Sequence, residues 1–177
     1  IMRKQIHVGD FKTGKEEKRA VNEVLSSGRL SEGHKTREFE QKWAKFVDTK
    51  YCVATSSGAG ALITALTALK YLYKLENRSK VITTPLTYIA DANALSVVGF
   101  EPVFVDIDPI RFCITPEAIE EHLKNASNPN DYSIILPVDL MGYSVELNEI
   151  KRIAEKYDLV VLEDAAQAHG TIYQGKK

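Results

Sequence analysis

The sequence predicts an α/β fold: a mostly parallel sheet with helices on both faces. Two observations carry that expectation. Short apolar runs alternate with helical patterns along the chain, and the runs themselves show no apolar–polar alternation. A strand apolar at every position needs cover on both of its faces, which a parallel sheet flanked by helices provides. Strand–helix alternation also implies crossovers of right-handed sense.

The elements follow in order. A first helix is expected over Lys15 to Ser27, where Ala20, Val21, Val24 and Leu25 share one face and Gly28 suits the C-cap. A second runs from about Thr36 and buries Phe39, Trp43, Phe46 and Val47. Strands are expected at Tyr51 to Thr55, Lys80 to Thr84, Pro102 to Asp106, Ser133 to Val138 and Leu159 to Leu162. Between them lie helices: Gly60 to Tyr73, rich in Ala and Leu, and Thr87 to Val98, closed by Gly99. Another opens at Thr115-Pro116, an N-cap followed by proline at the first helical position, with Ile114 and Ile119 as a hydrophobic staple. The last, Glu146 to Tyr157, carries Leu147, Ile150, Ile153, Ala154 and Tyr157 on one stripe. The segment Asn125 to Asp131 reads as a polar surface loop.

Composition narrows the function classes. Lys plus Arg is 23 against 24 for Asp plus Glu, a formal net charge of −1, which lacks the basic excess of nucleic-acid binders. There is no apolar run long enough to span a membrane and no signal-peptide pattern at the N-terminus, so a cytoplasmic protein is expected. Cys52 and Cys113 stand far apart without a CxxC and read as small core residues in a reducing compartment. His7, His34 and His122 do not cluster with acids or cysteines, and no metal is expected; His122 is placed on a helix surface.

In open α/β sheets ligands bind beyond the carboxyl ends of the strands. Three strand ends stand out. The first, Thr55-Ser56-Ser57-Gly58-Ala59-Gly60-Ala61, is a small-residue turn into a helix; its amides suit an anion, and equally the glycines suit a tight turn alone. The second, Thr84-Pro85-Leu86-Thr87-Tyr88-Ile89-Ala90-Asp91, puts an aromatic ring near the same mouth, either to stack on a planar ligand or to cap the core. The third ends a buried strand in two acids, Glu163-Asp164, followed by Ala165-Ala166-Gln167-Ala168-His169-Gly170. Neighbouring strand residues face opposite ways, so one acid of the two can enter a given site. Such a carboxylate needs a cation, a helix to cap or a ligand. The GTIYQGKK stretch at Gly170 to Lys177 resembles a P-loop only superficially: Lys stands at the Ser/Thr position and no helix is predicted after it.

In this order the three strand ends resemble the DegT/StrS family of pyridoxal-phosphate (PLP)-dependent nucleotide-sugar aminotransferases. The likeness runs from Val8-Gly9 onward, through Ala20 to Gly28, the Ser56 to Leu62 turn, Thr84 to Tyr88, Val105 to Asp108, Pro137 to Gly142 and Glu163 to Gly170. It implies the large domain of the fold type I PLP-dependent transferases, truncated: an N-terminal helical segment at 1–30 and a partial PLP-binding domain at 31–177. It further implies roles. The turn at Gly58, Ala59 and Gly60 would hold the PLP phosphate, chiefly through the amides of Ala59 and Gly60. Tyr88 would stack on the ring, Asp164 would bind the ring nitrogen, and Gln167 would approach the ring hydroxyl. Arg29, Leu30 and Ser31 resemble a loop that meets substrate. Asp139 stands where the family more often has His or Asn and is placed near the site. Ala59 replaces a customary Thr, which removes a side-chain contact to phosphate.

The family's Schiff-base lysine lies downstream of Gly170, so the resemblance implies a cofactor cradle without it, inactive alone and open to association through apolar edges. The whole enzyme is expected to pass an amino group, from glutamate, to a nucleotide-linked keto-sugar, as a homodimer. Two rival readings are a nucleotide-sugar 3-dehydratase of the same family, with histidine in place of that lysine, and a non-catalytic regulatory or vestigial protein.

Overall fold

The computed structural model describes residues 12–75 and 79–176. His7, Val8-Gly9 and Lys177, which enter the sequence reading, lie outside the described residues. Four parallel strands, β1 (Lys80–Thr83), β2 (Glu101–Phe104), β3 (Tyr132–Ile135) and β4 (Val160–Val161), form one sheet in the order β2-β1-β3-β4. Among the described residues six α-helices accompany them: α1 (Lys15–Ser26), α2 (His34–Phe46), α3 (Gly58–Leu72), α4 (Ala90–Val98), α5 (Pro116–Asn125) and α6 (Leu147–Lys156).

The unbroken apolar runs have the predicted consequence. On β1, Val81 joins one core with Leu66, Leu95 and Ile134, while its neighbour Ile82 joins the other with Ile119, Ile135 and Ile150. Helices α3 and α4 thus cover one face of the sheet, and α5 and α6 the other. Each fully buried Leu or Ile contributes about 1.5–3 kcal/mol of apolar burial. Local signals set the helix ends. The Thr115 hydroxyl accepts the Ala118 N–H at 3.2 Å. The stapling pair Ile114 and Ile119 is buried in one cluster. At the end of α4, Gly99 takes φ 94°, where a side chain is strained, and returns its N–H to the Leu95 carbonyl.

Three expectations are corrected. Tyr51 to Thr55 is not a strand: no described strand lies beside it, and the Ala54 N–H goes instead to Glu40 Oε1 on α2 at 2.8 Å. Without a ladder partner the run stays outside the sheet, with Val53 73% exposed. Helix α2 does not bury its expected stripe: Phe39 and Phe46 stay 51% and 42% exposed, and Ala44 is its buried residue; α1 forms as predicted and buries none of its residues. His122 is half-buried rather than superficial: its Nε2 lies 2.8 Å from the Tyr132 hydroxyl, and burial holds its pKa below the usual value. Smaller shifts are of boundary kind: α2 begins at His34, and α4 at Ala90 rather than Thr87.

Lys70 near the end of α3 donates to the Val98 carbonyl at the end of α4, at 2.7 Å. The two helices therefore run alongside in the same direction, and α4 follows directly from β1. Both N-termini consequently sit at the carboxyl edge of the sheet.

Candidate cofactor-binding site

The carboxyl edge gathers the three predicted strand ends. Beyond β3 and β4 the pairing continues irregularly: Asp164 N–H donates to the Pro137 carbonyl and Asp139 N–H to the Asp164 carbonyl, both at 2.9 Å. This ladder fixes the alternation of the two acids. Glu163 turns toward Asp139, and Asp164 toward Asp91.

Asp164 has a partly buried side chain whose Oδ1 accepts the Ala166 N–H at 2.8 Å. Among the described residues, none of the ion pairs involves Asp91, Asp139, Glu163 or Asp164. The salt-bridge alternative for Asp164 is thus absent there, and turn capping accounts for one of its oxygens. Asp91 is 0% exposed. Its Oδ2 accepts the Thr87 hydroxyl at 2.5 Å, and its Oδ1 is buried without a hydrogen-bond partner. Burial pushes its pKa up to about 6, the Thr87 hydrogen bond pulls it down, and Asp164 alongside pushes it up again.

Asp139 is buried; its Oδ1 accepts the Val145 N–H at 2.8 Å. Burial raises its pKa, against the Val145 hydrogen bond and the hydrogen bond from Glu163, with Asp164 adding to the rise. Glu163 is raised too, by the protein packed round its carboxyl and then by Asp139, although the rest of the residue reaches solvent. A cavity of about 670 Å³ opens on this side, lined by Trp43, Asp139, Lys151, Glu163, His169 and Tyr173 among others. Neither Tyr88 nor Asp164 lines it.

The turn before α3 is capped by its own serine: Ser57 Oγ accepts the Gly60 N–H at 3.1 Å. The Gly60 amide is therefore engaged, while those of Gly58 and Ala59 donate to no group among the described residues. A Cβ on Gly58 would meet nothing within 4 Å, whereas one on Gly60 would press on Ser57 Oγ at 3.3 Å. Gly60 serves the close packing of the turn, and Gly58 leaves its mouth open. Tyr88 is 73% exposed, its ring free to meet a ligand.

The remaining candidates are placed apart. Gln167 Oε1 accepts the Met141 N–H at 2.9 Å, tying it to the turn at Leu140–Gly142 after β3. Arg29 Nε donates to the Glu32 carbonyl, and both Arg29 and Ser31 lie exposed. His169 stands edge-on to Trp43, with ring centroids 5.2 Å apart, an aromatic contact that docks α2 on the segment after β4. Among the described residues no group of three His, Cys, Asp or Glu is arranged to hold a metal ion. The pairing of Asp91 with Asp164 escaped sequence reasoning. Its one trace was an acid in the first turn of a helix that carries no other charged residue.

The model of the DegT/DnrJ/EryC1/StrS aminotransferase family matches residues 12–177. The chain belongs to this family. Solved members and relatives share its fold. An aminotransferase from Psychrobacter cryohalolentis is 34% identical with a TM-score of 0.84, over 94% of this chain and 40% of that one. NtdA from Bacillus subtilis, solved with bound PMP, is 36% identical with a TM-score of 0.79, over 89% of this chain and 34% of that one. A GDP-4-keto-6-deoxymannose-3-dehydratase, solved as a variant with bound GDP-perosamine, is 27% identical with a TM-score of 0.81, over 90% of this chain and 40% of that one. The chain thus spans well under half the length of these relatives and corresponds to part of a fold type I large domain.

Proposed function

We propose that this chain holds pyridoxal phosphate at the carboxyl edge of its sheet, as part of an enzyme that transfers an amino group to a nucleotide-linked keto-sugar. The observation that carries the reading is Asp164, a carboxylate at a strand end with no cationic partner among the described residues and a second, buried carboxyl behind it. Such a group suits a protonated ring nitrogen, which supplies the missing positive charge. The open turn suits the phosphate: the amides of Gly58 and Ala59, at a helix N-terminus, donate to no group among the described residues, and the Gly60 amide is held by Ser57 as the wall of the turn. Tyr88 would cover one face of the ring. Gln167 retains its amide nitrogen as a donor toward the ring hydroxyl, since its oxygen is engaged by Met141.

When bound, the cofactor supplies an electron sink for the carbanion formed at the substrate carbon. The chain's own residues bind the phosphate, orient the ring and keep its nitrogen protonated. Glutamate as amino donor, a sugar nucleotide approaching Arg29 and Ser31, and a homodimer that completes the site are parts of the same proposal.

Titration of the chain with pyridoxamine phosphate (PMP), read as a cofactor absorbance change, tests it. Asp164→Asn is expected to weaken binding at least tenfold, about 1.4 kcal/mol, while leaving the circular dichroism spectrum unchanged. Equal affinity for the wild type and Asp164→Asn would overturn the reading. The similarity to a 3-dehydratase favours a second reading, in which the whole enzyme removes a sugar hydroxyl. Product analysis with glutamate and a 4-keto-sugar nucleotide separates the two, as an amino sugar or a deoxy keto-sugar.

A further inference from the structure

We propose that Asp91 is a positioning residue for Asp164: a buried carboxylic acid that donates its proton to the Asp164 carboxylate and aims it at the cofactor ring nitrogen. This rests on the reading that Asp164 faces that nitrogen. The geometry begins with the orphaned atom. Asp91 is fully buried, yet its Oδ1 has no donor within reach, which is costly for a carboxylate. As a carboxylic acid the same oxygen carries a proton, and the neighbouring acceptor is the side chain of Asp164. A directed chain results: the Thr87 hydroxyl donates to Asp91 Oδ2, Asp91 Oδ1–H donates to Asp164, and the Ala166 N–H donates to Asp164 Oδ1. Asp164 is then held from two sides while remaining the anion of the pair.

The charges around Asp91 favour this state. Its own helix carries no other charged residue. The elements packed against α4 and the adjoining strand contribute Lys70, Lys80 and Glu101, all toward the opposite edge of the sheet. There Lys70 serves the Val98 carbonyl and Lys80 the Asp131 carboxylate. Asp139 and Glu163 form their own pair on the other side of the ladder. Two carboxyls left in contact without a cation share one proton, and the more buried member keeps it. The elevated pKa of Asp91 agrees with that assignment.

The test begins with the unliganded chain, by carbon-13 titration of the aspartate carboxyls. Asp91 is expected to titrate near 6, and Asp164→Asn is expected to lower that midpoint. Addition of PMP then provides a second reading. At pH 5, below the Asp91 midpoint, Asp91→Ala, which lacks a donor, is expected to lose at least tenfold in affinity and to alter the absorbance of bound PMP. Asp91→Asn, whose amide still donates, is expected to recover most of that loss and to abolish the pH step. A midpoint for Asp91 that ignores Asp164→Asn overturns the proposal, as does wild-type PMP affinity in Asp91→Ala. If Asp91→Ala does not fold, the titration of the wild type and Asp164→Asn still decides. If Asp164→Asn moves the Asp91 midpoint yet binds PMP normally, the pairing stands, and what fails is the assignment of Asp164 to the ring and with it the aiming role.

Discussion

At Asp164 three demands meet in one residue: its backbone extends the pairing beyond β3 and β4, and its side chain caps a turn and accepts a neighbour's proton. The Thr87 hydroxyl enters that arrangement from behind, because its bond to Asp91 Oδ2 favours the ionised form. Thr87→Val keeps the shape and removes the donor. We expect the Asp91 midpoint to rise further from about 6, measured by the same carboxyl titration. The sequence singles out Asp164 and Tyr88 at predicted strand ends and the Gly58 to Gly60 turn by its small residues, although the run before that turn forms no strand. Asp91 is not singled out, because its partner is 73 residues away along the chain and local patterns carry no information about which acids will touch. The assignment of the Gly60 amide is likewise a matter of local geometry: Ser57 takes it as a helix cap, which a string of small residues does not reveal.

Among the elements, helices were read more securely than strands. A helix makes its hydrogen bonds within itself, so periodicity and caps suffice to place it. The Thr115 cap illustrates this, and Thr115→Ala is expected to lower stability by about 1 kcal/mol in urea unfolding, with no change in slope. A strand depends on a neighbour, which is why Tyr51 to Thr55, apolar and β-prone, lies outside the sheet. Helix α1 marks the other limit, since amphipathic pattern predicts a helix but not its partner. Leu66→Ala, on the buried face of α3, is expected to cost about 2–5 kcal/mol, whereas Leu25→Ala on α1, where Leu25 is 56% exposed, should stay within about 0.5 kcal/mol. Two buried hydroxyls without partners, Thr83 Oγ1 and Ser133 Oγ, sit in the central strands. Thr83→Val should therefore stabilise the chain, by about 1 kcal/mol, in the same unfolding assay.

For the molecule as a whole, the acids at the carboxyl edge set how stability varies with pH. Asp91, Asp139 and Glu163 all have folded-state pKa values raised above those of the unfolded chain. Raised values mean that the folded state holds protons more tightly, so their contribution is full below about pH 4 and declines as pH rises through the folded values. For Asp91, buried throughout, the rise from 3.8 to about 6 corresponds to on the order of 1–3 kcal/mol lost between about pH 4 and pH 7. The surface acids Glu38 and Glu120, lowered by hydrogen bonds to lysines, act in the opposite sense, but water screens them. Wild-type unfolding free energy is thus expected to fall from pH 5 to pH 8, and Asp91→Asn to flatten the profile. An unchanged slope in Asp91→Asn would show that Asp91 is not protonated in the folded chain.

The sequence by itself determined the α/β class, the two-sided cover of the sheet, the presence of its six described helices and the strand ends at which we propose a ligand site. These follow from short-range rules, in which apolar period, capping residues and small-residue turns act within a few positions. The tertiary structure decided which carboxyls share protons, which amides of the turn stay free, and that an apolar run remains outside the sheet. Those outcomes depend on contacts between distant segments, and on how far burial and missing countercharge shift the balance between an acid and its anion.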